Sequence, residues 1–176
     1  MFKIFNFNST KKIIKGFETL DDVRAYLDQI PNINYGGCAI SAYAMYLWLE
    51  KNNQLNNDTT IVYGYSFDHD GDEVSELENN VKNHNFNEDS INSCSHAMLF
   101  HNGKYYDSSR VVDDFKNEFD FSLLYFIPKE VLKKFMYFSL QEGRGFKWNT
   151  AFKRKYNVPL IENNLDIKIF EAAYAI

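Results

Sequence analysis

Gly36-Gly37-Cys38 stands directly before a run of mostly apolar residues, Cys38 to Leu49, interrupted by Ser41. A thiol in the first turn of a helix sees the positive end of the dipole and backbone N–H groups that no helical carbonyl takes up. Both favour thiolate, the nucleophilic form of cysteine. The two glycines keep side chains out of the approach to the sulfur. The N–H of Cys38 is placed to receive a developing oxyanion. The competing role for such a cysteine is a small apolar filler of a core.

A second group is Ser95-His96-Ala97-Met98-Leu99-Phe100-His101-Asn102-Gly103-Lys104-Tyr105-Tyr106-Asp107. Asn-Gly is the strongest short hairpin signal, and a two-residue type I′ loop fixes the register. His101 then faces Lys104, Met98 faces Asp107 and His96 faces Ser109. Side chains two apart share a face, so His96 and Asp107 project together as diagonal neighbours ~7–8 Å apart at the backbone. A carboxylate there can reach the imidazole, orient it and stabilise the imidazolium. His101 lies on the opposite face beside the turn and is read as solvent-exposed. His69 and His84 fall in an acidic stretch without an evident partner.

Other combinations of these residues are weaker. Cys94 precedes His96 by two positions, so Cys38, Cys94, His96 and Asp107 form a conceivable metal set, or Cys38 and Cys94 a disulfide. A Cys-x-His pair without a second CxxC is a poor zinc pattern, and no metal is assigned. Asp68-His69-Asp70-Gly71-Asp72 departs from a calcium loop, because Asn79 stands where the bidentate Glu belongs. Arg144 to Tyr156 interleaves five basic residues with aromatics. That pattern can grip nucleic acid, and more often it is the basic outer face of an amphipathic helix.

The elements that must position these side chains follow from periodicity and punctuation. Residues 1–15 alternate loosely and predict one or two short strands. Thr19 caps a helix with Asp21 and Asp22 in its first turn; Leu20, Val23, Leu27 and Ile30 mark its apolar stripe, and Pro31 ends it. Cys38 to Glu50 is apolar on every face, as a helix at the centre of a domain would be. Thr59 to Phe67 is β-branched and aromatic, hence a strand. Residues 58–90 hold nine Asp or Glu against one Lys, and 68–90 reads as a surface loop with a short helix. Strands are predicted over Cys94–His101, Lys104–Ser109 and Phe121–Ile127, and Pro128 opens a helix to about Glu142. Helices and strands do not alternate, so the class is α+β rather than doubly wound.

In this order the residues resemble the papain-like cysteine hydrolases, closest to the transglutaminase-like and bacterial cell-wall endopeptidase variants. Three pieces carry the resemblance, over roughly residues 30–127. They are Gly37-Cys38 opening a buried helix, Ser-His-Ala at the start of a strand, and Gly-Lys-Tyr-Tyr-Asp at the end of the next. It implies a central helix bearing Cys38 packed on an antiparallel sheet bearing His96 and Asp107. It further implies Cys38 as nucleophile, His96 as general base and acid, and Asp107 as orienting residue. Met98 replaces the Trp usual after the His of the transglutaminase-like motif. Asn32 occupies the place of the papain-type oxyanion Gln, with Asn34 nearer to Cys38.

Length and composition bound the rest. The 176 residues fit one domain, divided here into a papain-like core over 1–127 and a C-terminal helical extension over 128–176 packed on it. Hydrophobic residues at 45% and aromatics at 17% supply a core and exclude general disorder. Two cysteines are too few for a disulfide scaffold and suit a reducing compartment. Net charge −5 argues against nucleic acid as a partner. Met1 to Thr10 lacks the ~7–15-residue apolar run of a signal peptide, and no stretch reaches the ~20 residues that span a bilayer. The expectation is a cytoplasmic or virion-packaged protein acting on a peptide or protein amide without a cofactor. The alternatives are acyl transfer by the same residues, and a structural or interaction protein on the same fold.

Overall fold

The computed structural model describes residues 17–29, 33–34, 37–66, 71–83, 85 and 94–141. The strands expected in 1–15, the stop at Pro31, Asn32, Gly36, the segment 68–70 with His69, His84, and the tail from 142 with its basic stretch lie outside the described residues.

Helix α1, Leu20–Asp28, starts as its sequence dictates. The Asp22 N–H donates to Thr19 Oγ1 (3.2 Å) and the Thr19 N–H donates to Asp22 Oδ2 (2.9 Å), a reciprocal capping box. Val23 and Leu27, one turn apart, are its buried residues. Helix α2, Cys38–Lys51, buries Ile40, Ser41, Ala42 and every residue from Ala44 to Leu49. Apolar on all sides, it has neighbours on all sides.

Five strands make one antiparallel sheet: β1 Thr60–Tyr65, β2 His96–His101, β3 Lys104–Tyr106, β4 Val111–Val112 and β5 Leu123–Phe126, ordered β4-β3-β2-β1-β5. The β2–β3 turn has φ of 51° at Asn102 and 76° at Gly103, the two left-handed residues a type I′ loop needs. The register follows: His101 pairs with Lys104, Phe100 with Tyr105 and Leu99 with Tyr106.

The two faces of the sheet pack differently. Ile61, Tyr63 and Tyr65 of β1 and Ala97 and Leu99 of β2 cluster with α1, α2 and the last helix. That helix, α5 (Lys129–Gln141), adds Leu132, Phe135 and Met136 to the same core and is tied to α2 by Lys133–Glu50 at 2.8 Å. On the other face Val62 and Met98 meet Phe115 and Phe121, with Phe119 and Phe100 alongside. Phe115 belongs to a one-turn helix, α4 (Phe115–Glu118), capped by Asp114, whose Oδ1 accepts the Asn117 N–H at 3.1 Å. The fold is mixed α+β.

Three expectations need correction. The helix expected within the acidic segment is longer than a short one: α3 runs Gly71–Lys82, and Glu78–Lys82 pair across one turn at 2.6 Å. The strand after the hairpin stops at Tyr106 rather than Ser109, because Asp107 Oδ1 takes the N–H groups of Ser109 (2.7 Å) and Arg110 (2.8 Å). This local turn outcompetes the ladder. His101 is buried, at 7% exposure, rather than solvent-exposed. Its Nδ1–H donates to Thr59 Oγ1 (2.8 Å), whose hydroxyl donates to Asn56 Oδ1 (2.7 Å). The Asn56 amide donates to Asn102 Oδ1 (2.6 Å), and the Asn102 amide donates to His101 Nε2 (2.9 Å). Those four side chains form a closed ring with a single donor direction, which holds the imidazole neutral.

Among the described residues no helix is long and apolar enough to cross a membrane.

Candidate active site

Cys38 is the first residue of α2, and no side chain caps that helix end. The first helical hydrogen bond runs from the Ser41 N–H to the Gly37 carbonyl at 2.9 Å. The earlier N–H groups are therefore left to whatever lies at the terminus. A Cβ on Gly37 would stand 2.5 Å from the Ile33 carbonyl oxygen, so the close turn into α2 excludes any larger residue there.

The helix and His96 approach from opposite faces of the sheet, and the place where they meet follows from β3 being short. A two-residue hairpin closes on a hydrogen-bonded pair, and such pairs recur at every second residue. Here they are His101–Lys104 and Leu99–Tyr106. The next would join Ala97 to Ser108, but β3 has ended. The Ala97 N–H bonds to the Cys38 sulfur instead, as does the N–H of Ala39. The thiol thus fills the gap that the departing strand leaves at the edge of β2, where the His96 ring can reach it.

Cys38 and His96 are hydrogen-bond partners. His96 Nε2 lies 3.2 Å from Asp107 Oδ2, which leaves Nδ1 to face the thiol. Asp107, 2% exposed, also accepts from the Ser109 N–H, the Ser109 hydroxyl (2.9 Å) and the Arg110 N–H on its other oxygen. The pair expected from the hairpin register therefore forms, and the thiol joins it from 58 residues away in sequence.

The electrostatics are those of an ion pair. Burial pushes the Cys38 thiol up, but the hydrogen bond and charge of His96, with the Ala97 and Ala39 N–H groups, outweigh it and hold the thiol below its ordinary range. Burial alone would lower His96; Asp107 and Cys38 together raise it to about 9. Burial also opposes the Asp107 carboxylate, and the hydrogen bonds from His96, Ser109 and Arg110 keep it below the usual carboxylate range. Each contact thus favours the charged form of its group: thiolate at Cys38, imidazolium at His96 and carboxylate at Asp107.

The remaining sequence candidates sit nearby or apart. The Asn34 amide donates to Ser108 Oγ (2.9 Å), and its Oδ1 is buried without a partner. Ser108 also accepts from Arg24 Nη1 through its carbonyl (3.2 Å), so α1 and the 33–34 turn both hold the residue after Asp107. Cys38 and Cys94 are not joined in a disulfide. The Cys94 thiol donates to the His96 carbonyl at 3.1 Å. Among the described residues no group of three or more His, Cys, Asp or Glu is arranged to hold a metal.

Several neighbours were not singled out from sequence. Phe119 and Phe115 lie against the His96 ring, with centroids 5.1 and 6.0 Å away. Arg110 Nε approaches Asp107 Oδ2 at 3.8 Å. Asp107-Ser108-Ser109-Arg110 is a readable Asx-turn sequence and would have placed Arg110 beside the carboxylate. Comparison with protein-family models, with curated proteins and with solved structures found no match for this chain.

Proposed function

We propose that this protein is a cysteine hydrolase of papain-like architecture that cleaves an amide bond through an acyl-enzyme. The observation that carries the proposal is the contact chain Cys38–His96–Asp107, with a depressed thiol at an uncapped helix start and an elevated imidazole. A buried cysteine used only for packing needs neither a charged partner nor a third group orienting that partner.

In the first step the Cys38 thiolate attacks the substrate carbonyl carbon and the carbonyl oxygen takes up negative charge. The N–H groups at the start of α2 face that charge. The His96 imidazolium gives its Nδ1 proton to the leaving nitrogen, the C–N bond breaks, and a thioester to Cys38 remains. His96, now neutral, accepts a proton from water, which adds to the thioester and releases the acid. The C–S bond breaks as the acid leaves, so the thiolate of Cys38 and the imidazolium of His96 are restored. Asp107 keeps Nε2 protonated throughout, so Nδ1 is the nitrogen that exchanges protons.

The test uses the full chain with a peptide library read by mass spectrometry for new termini. The wild-type protein should cleave, and Cys38→Ala and His96→Ala should not, with folding checked by circular dichroism. Iodoacetamide should alkylate Cys38 at pH 6 much faster than it alkylates free cysteine. Equal cleavage by both variants, or alkylation no faster than free cysteine, would remove the proposal.

A further inference from the structure

On the sheet face away from α2, three phenylalanines build a wall beside His96. Its base is Gly64, the ladder partner of His96. A Cβ on Gly64 would stand 2.5 Å from two ring carbons of Phe121, so that ring lies directly on the strand backbone. Phe119 stacks on Phe121 with centroids 5.5 Å apart and 5° between planes. Phe115 meets both edge-on, at 5.3 and 4.9 Å. Phe115 and Phe121 are buried and serve the core, whereas Phe119 is only half-buried.

Phe119 contacts both the His96 ring and the Arg110 guanidinium. The His96 ring is tilted 33° from it, and the Arg110 guanidinium carbon sits over the ring at 4.6 Å from its centroid. Arg110 is tethered at both ends, by Asp107 and by Glu118 (3.3 Å). The backbone is fixed as well: Phe119 closes α4, Asp120 takes a left-handed φ of 54°, and the Phe121 N–H returns to the Lys116 carbonyl at 2.9 Å. A half-exposed aromatic held this firmly against one imidazole does more than fill space.

We infer that Phe119 is a positioning residue for His96: its ring holds the imidazole in line with Asp107 and shields their hydrogen bond from water, with Arg110 clasping it from outside. The inference rests on the catalytic reading above. An aromatic face next to a cation favours the charged ring, and excluding water preserves the full strength of the carboxylate partner.

The experiment is a nuclear magnetic resonance titration of ring-labelled histidine in the full chain, with His96 assigned by its loss in His96→Gln. The wild-type His96 should titrate near 9. Phe119→Leu and Phe119→Met remove the π face while keeping an apolar side chain. Each should cut the proton affinity of His96 by about tenfold or more and speed exchange of its Nε2 proton with water. Phe119→Tyr should restore both. The alkylation rate of Cys38 at pH 8 should fall in the same order. Leu and Met variants that fold and titrate like wild type would overturn the inference, and so would unfolding of both, since the ring would then be core alone. A wild-type His96 that titrates near 6.5 would instead overturn the catalytic reading itself.

Discussion

Asp107→Asn isolates the charge of the third residue, because the structure pins the amide in one orientation. Asp107 Oδ1 accepts three donors, from the Ser109 N–H, the Ser109 hydroxyl and the Arg110 N–H, so in the variant that position must remain the oxygen. The NH2 group then faces His96 Nε2. Two donors cannot share that bond, so Nε2 must lose its proton and the neutral ring carries its proton on Nδ1, toward the thiol. The imidazolium loses its carboxylate, and neutral His96 can no longer accept the proton of Cys38. The rise of His96 from 6.5 to about 9 corresponds to roughly 3 kcal/mol in favour of the charged ring. Asp107 and Cys38 share in producing it against burial, so loss of Asp107 should forfeit about half, a factor of ~10 or more. The assay is the rate of iodoacetamide alkylation from pH 4 to 10 in a Cys94→Ser background. Wild type should show a plateau that begins below the ordinary thiol range and ends near 9. In Asp107→Asn the rate at pH 6 should fall about tenfold or more, and its inflection should move up toward that of free cysteine. The turn should survive, so thermal stability should change little. A variant with wild-type rates and inflections would refute the assignment of Asp107.

Other outcomes follow from the same geometry. Burial holds His101 below its ordinary pKa, so its contribution to stability is complete above about pH 6.5 and lost as pH falls through the folded value. Urea midpoints should therefore drop more steeply from pH 7 to 5 in wild type than in His101→Gln, and parallel curves would refute this. Thr19→Ala removes the capping box of α1 and should cost about 1 kcal/mol in urea unfolding, with alkylation of Cys38 unchanged. Phe115→Ala empties a site of 0% exposure and should cost about 3–5 kcal/mol, seen as a large fall in melting temperature. If the acyl-enzyme forms, an added primary amine should compete with water, and the proportion of amide product at saturating amine would measure transfer against hydrolysis.

The parts legible in the sequence are those governed by local rules. Asn102-Gly103 set the hairpin register, and the register alone put His96 and Asp107 on one face. Thr19 and Asp22 marked the start of α1, and unbroken apolarity marked α2 as central. The parts that were not legible depend on competition or on distance. Lys104 to Ser109 has a strand's pattern until Asp107 turns its side chain onto the backbone of Ser109 and Arg110, with its other oxygen against His96. His101 beside a turn reads as exposed because only Asn102 is its sequence neighbour, while Thr59, which takes its other nitrogen, lies 42 positions earlier. Phe115, Phe119 and Phe121 look like ordinary core residues until Gly64, more than 50 positions earlier, lets one of them rest on the strand beside His96. No periodicity encodes that contact.

The early end of β3 also sets the order in which reactivity arises during folding. His96 and Asp107 are 11 residues apart and belong to a hairpin whose turn closes cheaply, so the imidazole can meet its carboxylate in a short stretch of nascent chain. The sulfur comes from the far end of a much longer loop and gains His96 and the Ala97 N–H only when α2 docks against the sheet. Until then it is an ordinary, weakly acidic thiol. On the proposed catalytic reading, the full reactivity of Cys38 would therefore arise only once α2 has docked on the sheet.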